Sequence, residues 1–340
     1  MSTMDPSEFI LPDFFATCPF AFGRTNPHAD VVIPEAHAWI VKHVPFVDRK
    51  RDEFIQDGFQ DLMPHCYPWA GKETLRTMCY LNNLLFLVDD LTDDMNSDEA
   101  RGFGESFIRV LNDPAVHDSS QVMQATREFR SRITGTGVTE SRWFGRFLAI
   151  FKLYINAVCA EAEDRENKRI LDLDTFTVAR RENSAVMVFF AITEYALGID
   201  LPDAVYEDPT FLRVYADSAD MVILVNDVFS YNREQAKGLD GNNNITVLMQ
   251  TLDLDLQAAV DHVGEMFSQK MEGCMRGRAM LPSWGVKVDA DVERFFDALD
   301  QWVVGNLEWS SQSPRYLGPE HEEIMRTRRV VLRKVETEIE

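Results

Sequence analysis

The sequence predicts an all-α protein, and three observations carry that prediction. Apolar residues recur at three- and four-residue steps through most of the 340 residues, the stripe of a helix with one buried face. The stretches so marked are separated by breaks containing Gly, Pro or Asn. No segment shows a convincing strand-like alternation of apolar and polar residues. With 45% hydrophobic residues the chain has material for a deep core, enough to enclose an apolar cavity within a helical bundle.

Residues 1–34 hold five of the 14 prolines and read as an extended segment packing over the body of the protein, residues 35–340. Helical stretches follow at 35–44, 73–95, 99–112 and 119–133, the last closed by a break at Thr134–Gly137. The clearest runs from Trp143 to Glu161, where Phe144, Phe147, Leu148, Phe151, Tyr154, Ile155 and Val158 fall on one face. Further stretches lie at 175–198 and 210–236, then, after a break at Gly238–Asn244, at 243–250, 254–275, 290–308 and 320–339. Neither repeats, low-complexity tracts nor a linker interrupt the series, so one domain is expected.

Composition excludes several classes of function. A net charge of −22 would repel nucleic acid or an anionic membrane, and an anionic substrate would need cations as go-betweens. The five cysteines, Cys18, Cys66, Cys79, Cys159 and Cys274, are odd in number and never form CxxC. They suggest neither a disulfide framework nor a zinc site, and a reducing cytoplasm fits them. Residues 1–10 carry Asp5 and Glu8 and lack the basic-then-apolar order of a signal peptide. The longest apolar run, Ser184 to Asp200, contains Thr193 and Glu194 and falls short of the roughly 20 residues that span a bilayer, so no membrane span is expected.

Two segments are chemically loaded. In the first, Asn82 to Asp98, an apolar run from Leu84 to Val88 leads into Asp89, Asp90, Asp93 and Asp94. At ~100° per residue Asp89 and Asp93 share one helical face, as do Asp90 and Asp94, so each pair can offer two carboxylates to one ion. Four acids this close repel one another unless a cation neutralises them, and hard oxygen ligands of this kind suit Mg²⁺. The plain alternative is a solvated acidic helix end. No glycine stands at the sixth position from Asp89 or Asp90, which argues against an EF-hand loop. In the second segment, Met221 to Glu234, Asn226, Ser230 and Glu234 recur every four residues and place a carbonyl, a hydroxyl and a carboxylate on one stripe about 12 Å long. Here too an apolar stretch, Val222 to Val225, precedes the polar cluster.

These residues carry a family resemblance. Asp89-Asp90-Leu91-Thr92-Asp93 resembles the DDxxD motif of class I terpene synthases, and Asn226 to Glu234 matches their NDxxSxxxE motif in full, in the same order and separation. The resemblance covers nearly the whole chain, and the segments LPDFFATCPF and NPH look most like those of fungal sesquiterpene synthases. It implies the class I terpenoid synthase bundle around a central apolar cavity. It also implies three Mg²⁺ ions, with Mn²⁺ able to substitute: two held by Asp89 and Asp93, the third by Asn226, Ser230 and Glu234. Asp90 is a second acid. Asp94 is an extra one, which leaves open whether Asp93 or Asp94 faces the metals. Arg180, 46 residues before Asn226, occupies the position of the family's diphosphate-sensing arginine, with Asn183 and Ser184 at the linker and effector positions of a helix break. Arg233 is a further diphosphate donor, and Arg315-Tyr316 resembles the C-terminal pair that contacts diphosphate on closure. Taken singly, Arg180 and Arg181 read as ordinary surface arginines, Arg315 as a surface partner of Glu320, and Arg233 as a helix partner of Asp227 or of the neighbours of Lys237.

The function so implied is removal of diphosphate from a linear prenyl diphosphate, farnesyl by resemblance, and steering of the cation to a cyclic or water-quenched acyclic product. Phe86, one turn before the aspartates, and Trp309 are the aromatic candidates for facing that cation, ahead of Phe189, Phe190 and Tyr67. The family often has an aromatic where this chain has Leu85. The alternatives are a synthase acting on geranyl diphosphate, a chain-elongating prenyltransferase and a non-catalytic acidic scaffold that binds divalent ions. A prenyltransferase would need a second aspartate-rich motif and a basic site beyond Arg49–Arg51. No HExxH, P-loop or GxGxxG is present. Monomer and homodimer are both compatible with the sequence.

Overall fold

A computed structural model describes residues 7–113, 115–134 and 140–334. Parts of three expected features lie outside them: residues 1–6 of the N-terminal segment, 135–137 of the break, and 335–339 of the last helix. The chain opens with strand β1 (Glu8–Ile10) and a single helical turn, α1 (Phe14–Thr17), then enters α2 (Ala29–Val41). The N-terminal segment is thus not extended throughout, and a boundary at residue 34 falls inside a helix. Pro34 stands in the second turn, where it removes the intrahelical bond to the Asp30 carbonyl. Two elements without a long apolar stripe follow, α3 (Asp48–Gln56) and α4 (Leu62–Cys66).

The long helices match the apolar periodicity. They are α5 (Lys72–Thr92), α6 (Ser97–Asn112), α7 (Gln121–Thr134) and α8 (Arg142–Glu166). Asn96 begins α6 with a full capping box, its side chain accepting from the Glu99 amide while the Glu99 carboxylate accepts from the Asn96 amide. The stretch expected at 175–198 is two helices, α9 (Leu173–Asn183) and α10 (Val186–Leu197), parted where Ala185 adopts φ +60°. After α11 (Asp203–Tyr206), Asp208 caps α12 (Pro209–Lys237), a proline in the first turn favours its start, and Gly238 at φ +69° ends it. The chain continues through α13 (Asn244–Leu252), α14 (Leu256–Arg278), α15 (Val286–Gln312), α16 (Pro314–Leu317) and α17 (His321–Thr327).

The expected helix at 320–339 is corrected. It stops at Thr327, Arg328 takes φ +59°, and residues Arg329–Val331 form strand β2, antiparallel to β1 with Phe9 opposite Val330. Three-residue strands paired across the whole chain leave too short an alternation to read in sequence.

Helix α12 packs along α14 and α15, α8 lies against α6 and α10, and α4 crosses α15. Gly305 permits that last crossing: a Cβ there would stand 2.5 Å from the carbonyl carbon of His65, so only a residue without one lets the two backbones approach so closely. By length and composition α8 could cross a membrane, although its Phe144, Phe147, Phe151, Tyr154, Ile155 and Val158 are buried among other helices. All five cysteines are free thiols.

Candidate active site

One cavity collects residues from α4, α5, α8, α9, α10, α12, α15 and α16. Along α5 its lining passes from Asn82, Leu85 and Phe86 to Asp89, Asp90 and Asp93; along α12 it passes from Val222 and Ile223 to Asn226, Ser230, Arg233 and Glu234. Both helices therefore run from an apolar to a polar stretch of the same wall.

Carboxylate oxygens of Asp89, Asp90 and Asp93 lie within 4.8 Å of one another. Asp93 caps α5 in helical conformation, its amide bonded to the Asp89 carbonyl, which keeps the two acids one turn apart on one face. Asp94 points away from the cavity, is largely exposed and pairs with Lys50. Arg165 braces the end of α5, donating to the Thr92 carbonyl at 2.7 Å and standing 3.5 Å from Asp93. Burial, and then the neighbouring charges of Asp93, Asp90 and Glu161, raise the Asp89 carboxyl well above the usual range; burial chiefly raises Asp93 as well. Acids crowded and dried in this way form a donor set that a divalent cation would relieve.

On α12 the Ser230 hydroxyl is buried beside the Glu234 carboxylate without a hydrogen bond of ordinary geometry. Glu234 accepts from Asn243 at 2.9 Å; burial, then the charge of Asp227, push it up to about 7. Asn226 donates to the Tyr316 hydroxyl at 2.9 Å, and its carbonyl accepts from Arg180 at 3.2 Å. An orphaned hydroxyl beside a destabilised carboxylate and an amide oxygen on one stripe again fits a hard cation.

Arg180 joins the two halves. It donates to Asp227 through Nε at 3.1 Å and Nη2 at 2.5 Å, and to Asn183 at 3.2 Å; Asn183 in turn donates to Glu161 at 3.0 Å. Burial opposes its charge, but Asp227 more than compensates and holds the guanidinium ionised. Ser184 lines the cavity at the break between α9 and α10, its hydroxyl bonded to the Arg181 carbonyl. Arg181 is not a plain surface residue, since it pairs with Asp220 at 2.7 Å. Arg233 and Arg315 both bond to one oxygen of Asp57, and Arg315 lies 3.9 Å from Asp90, not against Glu320. Buried Nε of Arg315 has no acceptor among the described residues.

Phe86 and Trp309 line the cavity, but one face of Phe86 is taken by Phe59, stacked at 4.1 Å, and the Arg315 guanidinium stands 5.1 Å from its centre. Phe189 also reaches the cavity, whereas Phe190 and Tyr67 are core residues off its lining. Sequence reasoning missed Trp302, Tyr154 and Glu161, which are all on the wall. Glu161 had a signal: it continues the apolar stripe of Phe147, Phe151, Tyr154 and Val158 at helical spacing, and an acid on a buried stripe asks for an explanation. Burial, then Asp93, push its carboxyl up to about 7.

Comparison with known proteins bears on this arrangement. Residues 80–273 match the family described as "Terpene synthase family 2, C-terminal metal binding". A Coprinopsis cinerea protein named linoleate 10R-lipoxygenase COP4 is 41% identical, over 96% of this chain and 93% of the relative. Sesquiterpene synthase 3 of Postia placenta is 35% identical, over 94% and 87%. The crystal structure of germacradien-4-ol synthase from Streptomyces citricolor superposes with a TM-score of 0.75 at 22% identity, covering 86% of this chain and 96% of that one, and so shares its fold.

Proposed function

The chain belongs to the terpene synthase family, and from that premise we propose that it is a Mg²⁺-dependent sesquiterpene synthase. In this reading it ionises farnesyl diphosphate and converts the allylic cation to a cyclic terpene, or to an acyclic one captured by water, with release of diphosphate. The observation that carries the reading is a single cavity whose wall turns, on two facing helices, from apolar side chains to oxygen ligands and arginines.

Asp89 and Asp93, with Asp90 beside them, would hold two ions, and Asn226, Ser230 and Glu234 a third. Bound Mg²⁺ supplies Lewis-acid neutralisation of the leaving diphosphate. The chain's own residues do the rest. Arg180, Arg233 and Arg315 donate N–H groups to diphosphate oxygens, and the Tyr316 hydroxyl, already placed by Asn226, adds another donor. Asn183 links Arg180 to the break between α9 and α10, which Ser184 lines and where the substrate's reacting end would lie. Leu85, Val222, Ile223 and Phe189 keep water from the cation, and Trp309 and Trp302 offer π-density to it, the Phe86 ring being already engaged by Phe59 and Arg315.

The lipoxygenase name of one relative stays with that relative. No histidine stands among the described residues that line this cavity, so it offers no imidazole set of the kind that holds oxygen-activating iron. The test is incubation with geranyl, farnesyl and geranylgeranyl diphosphate, with Mg²⁺ or with chelator, and analysis of the volatiles. Turnover of farnesyl diphosphate is expected only with metal, and Asp89→Ala or Asn226→Ala is expected to abolish it with helical circular dichroism intact. Full activity in either variant removes the ligand assignment.

A further inference from the structure

We infer that Asp57 is a positioning residue that holds Arg233 and Arg315 together as a diphosphate-binding pair. The inference rests on the reading that these two arginines contact diphosphate.

Asp57 ends α3 and is followed by Gly58 at φ +61°, a turn that brings the Phe59 ring to 4.7 Å from the Arg315 guanidinium. Arg233 Nη1 donates to Asp57 Oδ2 at 2.9 Å, and Arg315 Nη1 donates to the same oxygen. The arginines come from α12 and α16, and no other acid is shared between them among the described ion pairs. Two guanidinium groups this close repel strongly in a site shielded from water, and one carboxylate between them removes that repulsion.

The second acid near Arg315 is Asp90, at 3.9 Å against a direct hydrogen bond to Asp57. Arg315 thus feels the charge of Asp90 strongly but is hydrogen-bonded to Asp57, and Asp90 stays grouped with Asp89 and Asp93. Buried Arg315 Nε, with no acceptor among the described residues, is left as a donor for an incoming anion. Without the carboxylate at 57, Arg315 would turn to Asp90. A diphosphate donor and a neighbour of the metal carboxylates would then be lost in one move.

The experiment measures binding of inorganic diphosphate by calorimetry at fixed Mg²⁺, beside steady-state kinetics with the prenyl diphosphate. For Asp57→Asn the diphosphate Kd is expected to rise roughly tenfold, with KM rising and kcat falling, because the paired arginines bind the diphosphate and meet the charge that grows on it as the C–O bond breaks. The Mg²⁺ concentration needed for half-maximal diphosphate binding should rise as well, a shift that a purely structural role for Asp57 does not produce. Unchanged or tighter diphosphate binding overturns the inference; tighter binding would make Asp57 a plug that the substrate displaces. Arg315→Gln separates the two levels. If it too leaves diphosphate affinity at the wild-type value, the diphosphate reading of the arginines falls; if it weakens binding while Asp57→Asn does not, only the role of Asp57 falls. Asp57→Glu is expected to lie between the wild type and Asn. Should the Asn variant not fold, Glu carries the test, and wild-type affinity in it overturns the inference.

Discussion

Asp227 lies at the centre of the site without facing its cavity. It is fully buried, accepts two hydrogen bonds from Arg180 and two more from the Asn244 amide and side chain, and so fixes both the arginine and the start of α13. Removing its charge strands a guanidinium that is itself nearly buried. Asp227→Asn is expected to cost about 3 kcal/mol of unfolding free energy, measured by chemical denaturation, because breaking one side of a buried ion pair leaves the other uncompensated. At this scale the sequence exposed what local spacing can expose. Asp89 with Asp93, and Asn226 with Ser230 and Glu234, are set by the helical repeat alone. Asp57 left no such trace, since its partners stand 176 and 258 residues away. The inward direction of Asp93 and the outward one of Asp94 were likewise decided by Arg165 and Lys50, which no local pattern connects to them.

Elements place these residues by how closely they can approach. Helix α4 reaches the cavity through Leu62 because α15 presents Gly305 to the backbone at His65 and Cys66. Gly305→Ala is expected to push the two helices apart, to destabilise the fold by about 1–3 kcal/mol and to change the product spectrum through the displaced Leu62 wall. Gly145→Ala is the control: its Cβ meets open space in the first turn of α8, so stability should hold or rise by at most about 0.5–1 kcal/mol. Thermal melts and volatile analysis of both variants check the pair. The long helices were legible because a stripe of apolar residues is a local property. The short α3, α4 and α16 were not, because their few turns owe their stability to neighbours more than to a periodic face.

At the scale of the whole molecule, segments near the two ends of the described residues meet at α12. Strands β1 and β2 pair, the Val331 carbonyl accepts from Asn232 of α12, the Arg333 amide donates to Asn232, and the Arg333 side chain donates to the Tyr316 carbonyl. Asn232 sits between Ser230 and Glu234, so the C-terminal segment braces both α12 and the turn that carries Arg315 and Tyr316. Truncation after Thr327 is expected to lower kcat/KM by roughly tenfold or more, through misplacement of those two donors, while most of the helical signal remains. A truncated protein with wild-type kcat/KM would show that the brace does not matter. The sequence by itself determined the all-helical class, the long helices and the two oxygen-rich stripes, because each depends on residues within a few turns of one another and on a fixed rise and rotation per residue. Only the tertiary structure decided which acids share the cavity, which carboxylate holds the arginines and how the ends are tied. Those are contacts between residues far apart in the chain, and their energies come from burial and charge pairing that no single segment contains.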